Sequence, residues 1–431
     1  MLKKLCCALL AVCLLALPCF ALTPPEIAAK GAILYERSTG ETLWELNADE
    51  RLYPASTTKL LTAALVLEYG NVADTVTVTR EATANLYEQG SAVYLITGEE
   101  MAFMDMVRYL LIASGNDAAN ALAIHVSGSI EAFVALMNNK AAELGCTGTN
   151  FTNPHGLPDE NHYTTARDLL KIALYAMENE TIAELVRETS VVLPVTNKHA
   201  QTTKKYSTNF MLPGNNANPV YAYEGCLGIK TGSTTAAGLC LISAVQSDDL
   251  TYFTVVLGAV RGEDGTMGSF VETKKLFDFA KSSYSMQVML KSTEPICEVP
   301  VRLAANEQDK VLLTPGESLT ALLPNDFKTT DLTLDYSSVE SVDAPVTEGQ
   351  ALGTLTVRYN GRDYGTFKLV AASAVERSQT LYVIDRITGF LSSKTFKIIL
   401  AAVAALILIL VAYVIIFNRR RAKKRRRGRH I

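Results

Sequence analysis

One stretch of this 431-residue chain has a single plausible regular structure. Ile398 to Phe417 is a charge-free apolar run of 20 residues. As a helix it spans about 30 Å, the thickness of a bilayer core. Nine Lys or Arg follow between Arg419 and Arg429. A buried core helix is the competing reading, and it fails on the block of charge pressed against its end. Basic residues stay on the cytoplasmic side. The pattern predicts a transmembrane helix at 398–417, a basic tail at 418–431 inside, and the body of the chain outside. Phospholipid head groups are the natural partner of such a tail.

The other end agrees with export. Lys3 and Lys4 precede an apolar stretch from Leu5 to Leu17, which closes on Pro18-Cys19-Phe20-Ala21. Residues 1–21 read as a signal peptide cut after Ala21; a lipid-anchored reading at Cys19 or Cys13 is weakened by Pro18 and Val12, where a small residue is wanted. The net charge of −4 hides a split, because removing Lys3, Lys4 and the nine tail cations leaves −15 for the exported body. That acidity argues against nucleic acid as a partner. Of eight cysteines, four remain after the signal: Cys146, Cys226, Cys240 and Cys297. None has metal-ligand spacing, and no metal or other cofactor is expected. Cys226 and Cys240 could approach across a hairpin, but free, buried thiols are the preferred reading.

Between the ends the periodicity changes once. Ala32-Ile33-Leu34-Tyr35 and Thr42-Leu43-Trp44-Glu45-Leu46 flank Ser38-Thr39-Gly40 as a hairpin. An apolar helix follows Ser56 and stops at Gly70. Residues 101–127 give two helices broken near Gly115, and helices continue over 131–144 and 165–187. Strands return at 225–231, 239–245 and 251–257, and a helix at 269–281 closes the unit. Strands at both ends and helices between predict an α+β domain over 22–285, one antiparallel sheet with a helical half inserted. Residues 286–375 read as a small all-β domain, with strands at Val299–Leu303, Lys310–Leu313 and Thr354–Tyr359 and turns at Pro315-Gly316 and Asn360-Gly361. Residues 376–397 read as a linker.

Three segments carry chemistry. In Ser56-Thr57-Thr58-Lys59, positions i and i+3 of a helix start share a face, so Lys59 lies beside Ser56. A serine hydroxyl needs a neighbour to take its proton, and a lysine inside an apolar helix has its pKa lowered toward the range of a working base. A helix cap followed by a snorkelling lysine is the plainer alternative. Ser114-Gly115-Asn116 falls where two helices meet. There Ser114 can relay a proton to a leaving amine and Asn116 can hold a substrate amide; a turn with an Asn cap explains the same residues. Ser207-Thr208-Asn209 repeats the Ser-x-Asn spacing in a poorly patterned loop and ranks lower. Lys230-Thr231-Gly232 ends a strand. Lys230 and Thr231 offer a cation and a hydroxyl to a carboxylate, Gly232 admits a substrate backbone, and Ser233 can lend a backbone N–H to an oxyanion hole with that of Ser56. Arg261 is a second candidate for the carboxylate; a surface arginine accounts for it equally. His155 and His162, around Asn153-Pro154-His155-Gly156-Leu157, read as loop-organising.

Taken in order, with Gly in the middle of the second motif, these segments resemble the low-molecular-weight penicillin-binding proteins of the serine D-alanyl-D-alanine carboxypeptidase type. The resemblance runs over residues 25–285 and extends to the β domain. It implies a fold like that of the serine β-lactamases and transpeptidases, a peptidoglycan stem peptide ending in D-Ala-D-Ala as substrate, and β-lactam antibiotics as covalent mimics. It also implies Ser56 as the acylated residue, Lys59 as its base, Ser114 and Asn116 completing the cleft, and Lys230 and Thr231 holding the terminal carboxylate. Many relatives end in an amphipathic helix on the membrane, whereas this chain has a full span. Two rivals remain: a β-lactamase, disfavoured because no Glu-x-x-Leu-Asn segment is present and the second motif is not Ser-Asp-Asn, and an inactive wall-binding scaffold, disfavoured by the intact motif set.

Overall fold

The computed structural model describes residues 24–84, 86, 94–306 and 308–427. The expected signal peptide lies outside these residues, as does the end of the basic tail. The described residues divide into two compact units, those up to 285 with 322–326, and 286–321 with those from 327 on.

In the first unit, β1 (Gly31–Glu36) and β2 (Glu41–Leu46) form the expected hairpin, and β3 (Cys226–Thr234), β4 (Gly238–Ser247) and β5 (Leu250–Ala259) complete one antiparallel sheet in the order β2-β1-β5-β4-β3. β3 is therefore an edge strand. Alternation along the strands feeds two cores. Ile33, Ile242, Val255 and Leu257 face the helical half, while Ala32, Leu34, Leu241 and Val256 face Phe270, Leu276, Phe277 and Ala280 of a closing helix at Gly268–Ser283.

The helical half contains α1 (Lys59–Tyr69), α2 (Phe103–Ile112), α3 (Asn116–Ser127), α4 (Ile130–Glu143) and α5 (Ala166–Ala176). Leu60, Leu61, Ala63, Ala64, Leu65 and Val66 of α1 are all buried, so its first two turns are a core element with no solvent face, and only the last turn, at Glu68 and Tyr69, is exposed. Each fully buried Leu or Val side chain contributes on the order of 2 kcal/mol, which anchors the turn that enters α1. The helix expected over 165–187 is two: α5 ends at Ala176, and Asn179 caps a second helix at Glu180–Leu185.

The second unit holds a six-stranded sheet, all antiparallel except for one parallel pairing of Cys297–Arg302 with Val342–Asp343. Asn360 (φ +48°) and Gly361 (φ +78°) make the tight turn between Ala351–Tyr359 and Arg362–Ala371, both in the left-handed region that a two-residue hairpin turn requires. The segment expected as a linker is largely helical: Ser378 caps Gln379–Ser392 by accepting from Leu381 N–H. Leu381, Ile384, Ile387 and Leu391 recur at helical spacing there. A second helix runs over Lys394–Arg427, and its stretch Lys394–Arg421 is long and apolar enough to cross a membrane.

Candidate active site

Ser56 sits in a 3₁₀ turn, Ala55–Thr58, and Lys59 opens α1. In such a turn residues i and i+3 eclipse, which brings the two side chains together more directly than an α-helix would. Lys59 is fully buried. Its Nζ donates to Ser56 Oγ at 2.9 Å, Asn116 Oδ1 at 2.5 Å and the His155 carbonyl at 2.7 Å. All three acceptors are neutral. Burial without a contacting carboxylate lowers the Lys59 pKa well below 10.5; the charge of Lys230 lowers it further, and that of Asp117 opposes the shift. A neutral amine here can accept the Ser56 proton.

Ser114 occupies the gap between α2 and α3, and Lys230 Nζ donates to Ser114 Oγ and to the Thr231 carbonyl, each at 3.0 Å. Lys230 is 1% exposed, and burial pushes its pKa down to about 7. The edge strand β3 presses against the Ser56 turn at Gly232: a Cβ there would lie 2.9 Å from the Pro54 carbonyl oxygen and 3.0 Å from Ser56 N. No side chain fits at that approach. Thr231 Oγ1 meets Thr208 Oγ1 at 2.5 Å.

Ser56, Ser114, Asn116, Thr208, Thr231 and Ser233, among others, line one cleft of about 1090 Å³, and the two buried lysines lie behind it, bonded to Ser56, Asn116 and Ser114. Each motif also includes or follows a non-glycine residue at positive φ: Ala55 (+51°) before Ser56, Ser114 itself (+64°), and Ile229 (+101°) before Lys230. Left-handed backbone is costly for such residues, most of all for a β-branched one, and persists where surrounding structure over-determines it. Ser114 itself lines the cleft, and Ala55 directly precedes Ser56, which also lines it.

Arg261 is not brought into that lining. It is exposed, and its guanidinium donates to the Gly265 carbonyl at 3.0 Å, because the chain turns back after β5 through a Gly-rich loop. Thr208, ranked low from sequence, does line the cleft. His155 and His162 organise their loop. The His155 carbonyl receives Lys59, and His155 Nδ1 accepts from Leu157 N–H. His162 Nδ1 accepts from Thr152 N–H. Thr58 Oγ1 donates to the Ala55 carbonyl, so His162 Nε2–H donates to Thr58 Oγ1 at 3.0 Å. Burial lowers the pKa of His155 well below 6.5 and that of His162 to about 4, so both rings are neutral at pH 7. Asp117, beside Asn116, was not singled out by any spacing. It is buried and accepts from Tyr94 N–H at 2.5 Å and Leu95 N–H at 2.7 Å, which pins the start of α3. Cys226 and Cys240 are both buried free thiols. In the β3–β4 register Cys226 faces Val245 while Cys240 faces Gly232, so they do not oppose one another.

An antiparallel sheet with a helical half, carrying a serine whose hydroxyl meets a buried lysine, defines the class of serine acyl-transfer enzymes that use lysine where others use histidine. Comparison narrows the class. Residues 19–261 match the family described as D-alanyl-D-alanine carboxypeptidase, and residues 284–377 match the penicillin-binding protein 5 C-terminal domain. The chain belongs to the serine-type D-alanyl-D-alanine carboxypeptidase family. It is 32% identical over 368 residues to the D-alanyl-D-alanine carboxypeptidase DacF of Bacillus subtilis, covering 84% of this chain and 89% of that protein. It is 31% identical over 364 residues to DacC of Escherichia coli, covering 82% and 85%. Among solved structures it is similar to penicillin-binding protein 5 from Haemophilus influenzae, with a TM-score of 0.59 and 28% identity, covering 83% of this chain and 100% of that one.

Proposed function

We propose that this chain is a membrane-anchored D-alanyl-D-alanine carboxypeptidase that removes the terminal D-Ala from peptidoglycan stem peptides through an acyl-enzyme on Ser56. The observation that carries the reading is the contact of Lys59 Nζ with Ser56 Oγ, made by an amine that has no carboxylate among its hydrogen-bond partners. Neutral Lys59 takes the Ser56 proton as Oγ attacks the carbonyl of the penultimate D-Ala. The oxyanion is held by the backbone N–H groups of Ser56 and Ser233. Ser114, already bonded to Lys230, gives its hydroxyl proton to the departing amine of D-Ala as the C–N bond breaks and takes the proton of Lys59 in its place, leaving Lys59 neutral. Lys230 and Thr231 hold the terminal carboxylate, and Asn116 the substrate amide. Water then attacks the ester, Lys59 takes its proton, and the shortened peptide leaves with Ser56 restored. Penicillins acylate Ser56 by the same route. The span at 398–417 anchors the body outside the cell, with the basic tail on the cytoplasmic face.

The test is intact mass of the chain after exposure to penicillin, with the adduct mapped to its peptide, alongside D-Ala release from a stem pentapeptide. The expected result is one adduct on Ser56, lost in Ser56→Ala, and release of D-Ala. Rapid repeated turnover of penicillin would move the reading to a β-lactamase. Binding of wall fragments with no D-Ala released would move it to a scaffold.

A further inference from the structure

The cleft continues past Ser233 along Thr234, Thr235 and Ala236. Two smaller depressions flank that continuation. One, of about 310 Å³, is bordered by Lys30, Arg51, Tyr163, Glu160 and Ala236; the other, of about 460 Å³, by Lys30, Thr235, Ala236 and Arg261. Two of the three cations are held by packing. The aliphatic stem of Lys30 lies on Gly258 (φ +69°), where a Cβ would meet Lys30 Cγ at 2.7 Å. The Arg51 guanidinium stacks over the Tyr163 ring at 4.7 Å from its centroid. Neither they nor Arg261 form an ion pair among the described residues. Among the described residues Glu160 is the one carboxylate bordering either depression, and it too has no ion pair among them.

The direction of a bound peptide follows from the proposed reading of the cleft, on which this inference rests. With the terminal carboxylate at Lys230 and Thr231, and the attacked carbonyl between Ser56 and Gly232, the rest of the peptide must leave along Ser233–Ala236. An extended chain added to the open edge of β3 advances about 3.3 Å per residue. β3 ends at Thr234, two positions beyond Gly232 and about 7 Å on that rise, and the turn that carries Thr235 and Ala236 lies just past it, at the reach of two to three residues upstream of the cleaved bond. We propose that Lys30 and Arg51, with Arg261 beside them, form a subsite for carboxylates on the upstream part of the stem peptide. The enzyme then prefers stem peptides whose upstream carboxylates are free over those in which they are amidated.

Three substrates separate the possibilities, assayed with the full-length chain in detergent: L-Ala-γ-D-Glu-L-Lys-D-Ala-D-Ala, the same peptide with the glutamyl α-carboxylate amidated, and diacetyl-L-Lys-D-Ala-D-Ala, which carries no upstream carboxylate. The expected result is a kcat/KM about fivefold higher for the free acid than for the amide, the scale of one carboxylate meeting two exposed cations, shrinking in high salt. In Lys30→Gln/Arg51→Gln that preference falls to near unity, while kcat/KM for the short peptide stays within twofold; both residues are exposed, so folding is retained. Equal rates on acid and amide in the unaltered chain, or a preference that survives the double replacement, would overturn the subsite. Failure to cleave even the short peptide would instead strike the carboxypeptidase reading.

Discussion

The Lys230 ammonium donates to Ser114 Oγ at 3.0 Å, joining residues 116 positions apart. In the proposed mechanism that bond ties the carboxylate clamp of β3 to the proton relay between α2 and α3.

Replacing Lys230 therefore has two separable effects. Lys230→Ala is expected to lower kcat/KM for a substrate with a free terminal carboxylate by about 100-fold, the scale of one lost charge-assisted hydrogen bond in a buried site. The loss on the corresponding C-terminal amide is expected to be smaller by tenfold or so, since only the contact with Ser114 is removed there. Steady-state kinetics on the matched pair decides it, and equal losses would remove the clamp role.

The pH profile of kcat/KM is expected to be bell-shaped. Its rising limb is the deprotonation of Lys59, set well below 10.5 by burial and by the charge of Lys230. Its falling limb begins at about 7, where Lys230 in the free enzyme gives up the charge that attracts the carboxylate. An amide-terminated substrate, indifferent to that charge, should show the rising limb alone. A falling limb common to both substrates would argue against this assignment.

Acid should destabilise the fold through its buried imidazoles. His162 binds a proton only near pH 4 when folded and near 6.5 when unfolded. Between those values the unfolded state binds more protons, so stability present at pH 7 is lost as pH falls through this window. His162 accounts for about 2 kcal/mol of loss by pH 5, and His155, shifted in the same direction, adds to it. Urea unfolding at pH 7 and pH 5 measures the difference, and His162→Gln should shrink it. An unchanged difference would mean that His162 is not held neutral.

Gly156 holds the loop against the nucleophile turn. Its φ is +88°, and a Cβ there would lie 1.9 Å from the Ala55 carbonyl oxygen. Gly156→Ala must displace either the turn carrying Ser56 or the loop whose His155 carbonyl receives Lys59. We expect acylation by penicillin to slow by more than tenfold and the fold to lose about 2 kcal/mol or more. Stopped-flow acylation and thermal unfolding check both, and an unaffected acylation rate would show that the loop does not position Lys59.

Much of this was legible along the chain because its causes are local. The long apolar helix announces itself through the absence of charge from Ile398 to Phe417 and the cations beyond. The β1–β2 hairpin, the stop of α1 at Gly70, the break at Gly115 and the Asn360-Gly361 turn each follow from a few neighbouring residues, and the motifs at 56–59, 114–116 and 230–232 were visible as spacings. Even the helix at Gln379–Ser392 has a repeat that periodicity alone could have found. Other features have no local signature. That a main-chain carbonyl at His155 would accept a hydrogen bond from Lys59, that Thr208 would reach Thr231, or that Arg261 would turn out of the cleft depends on which segments the sheet brings side by side. The residue order thus determined the elements, the long apolar helix and the chemical groups available. The tertiary packing alone decided which of those groups meet, and by burying two lysines without contacting carboxylates it set their proton affinities, because desolvation is a property of the surrounding volume and not of neighbours in the chain.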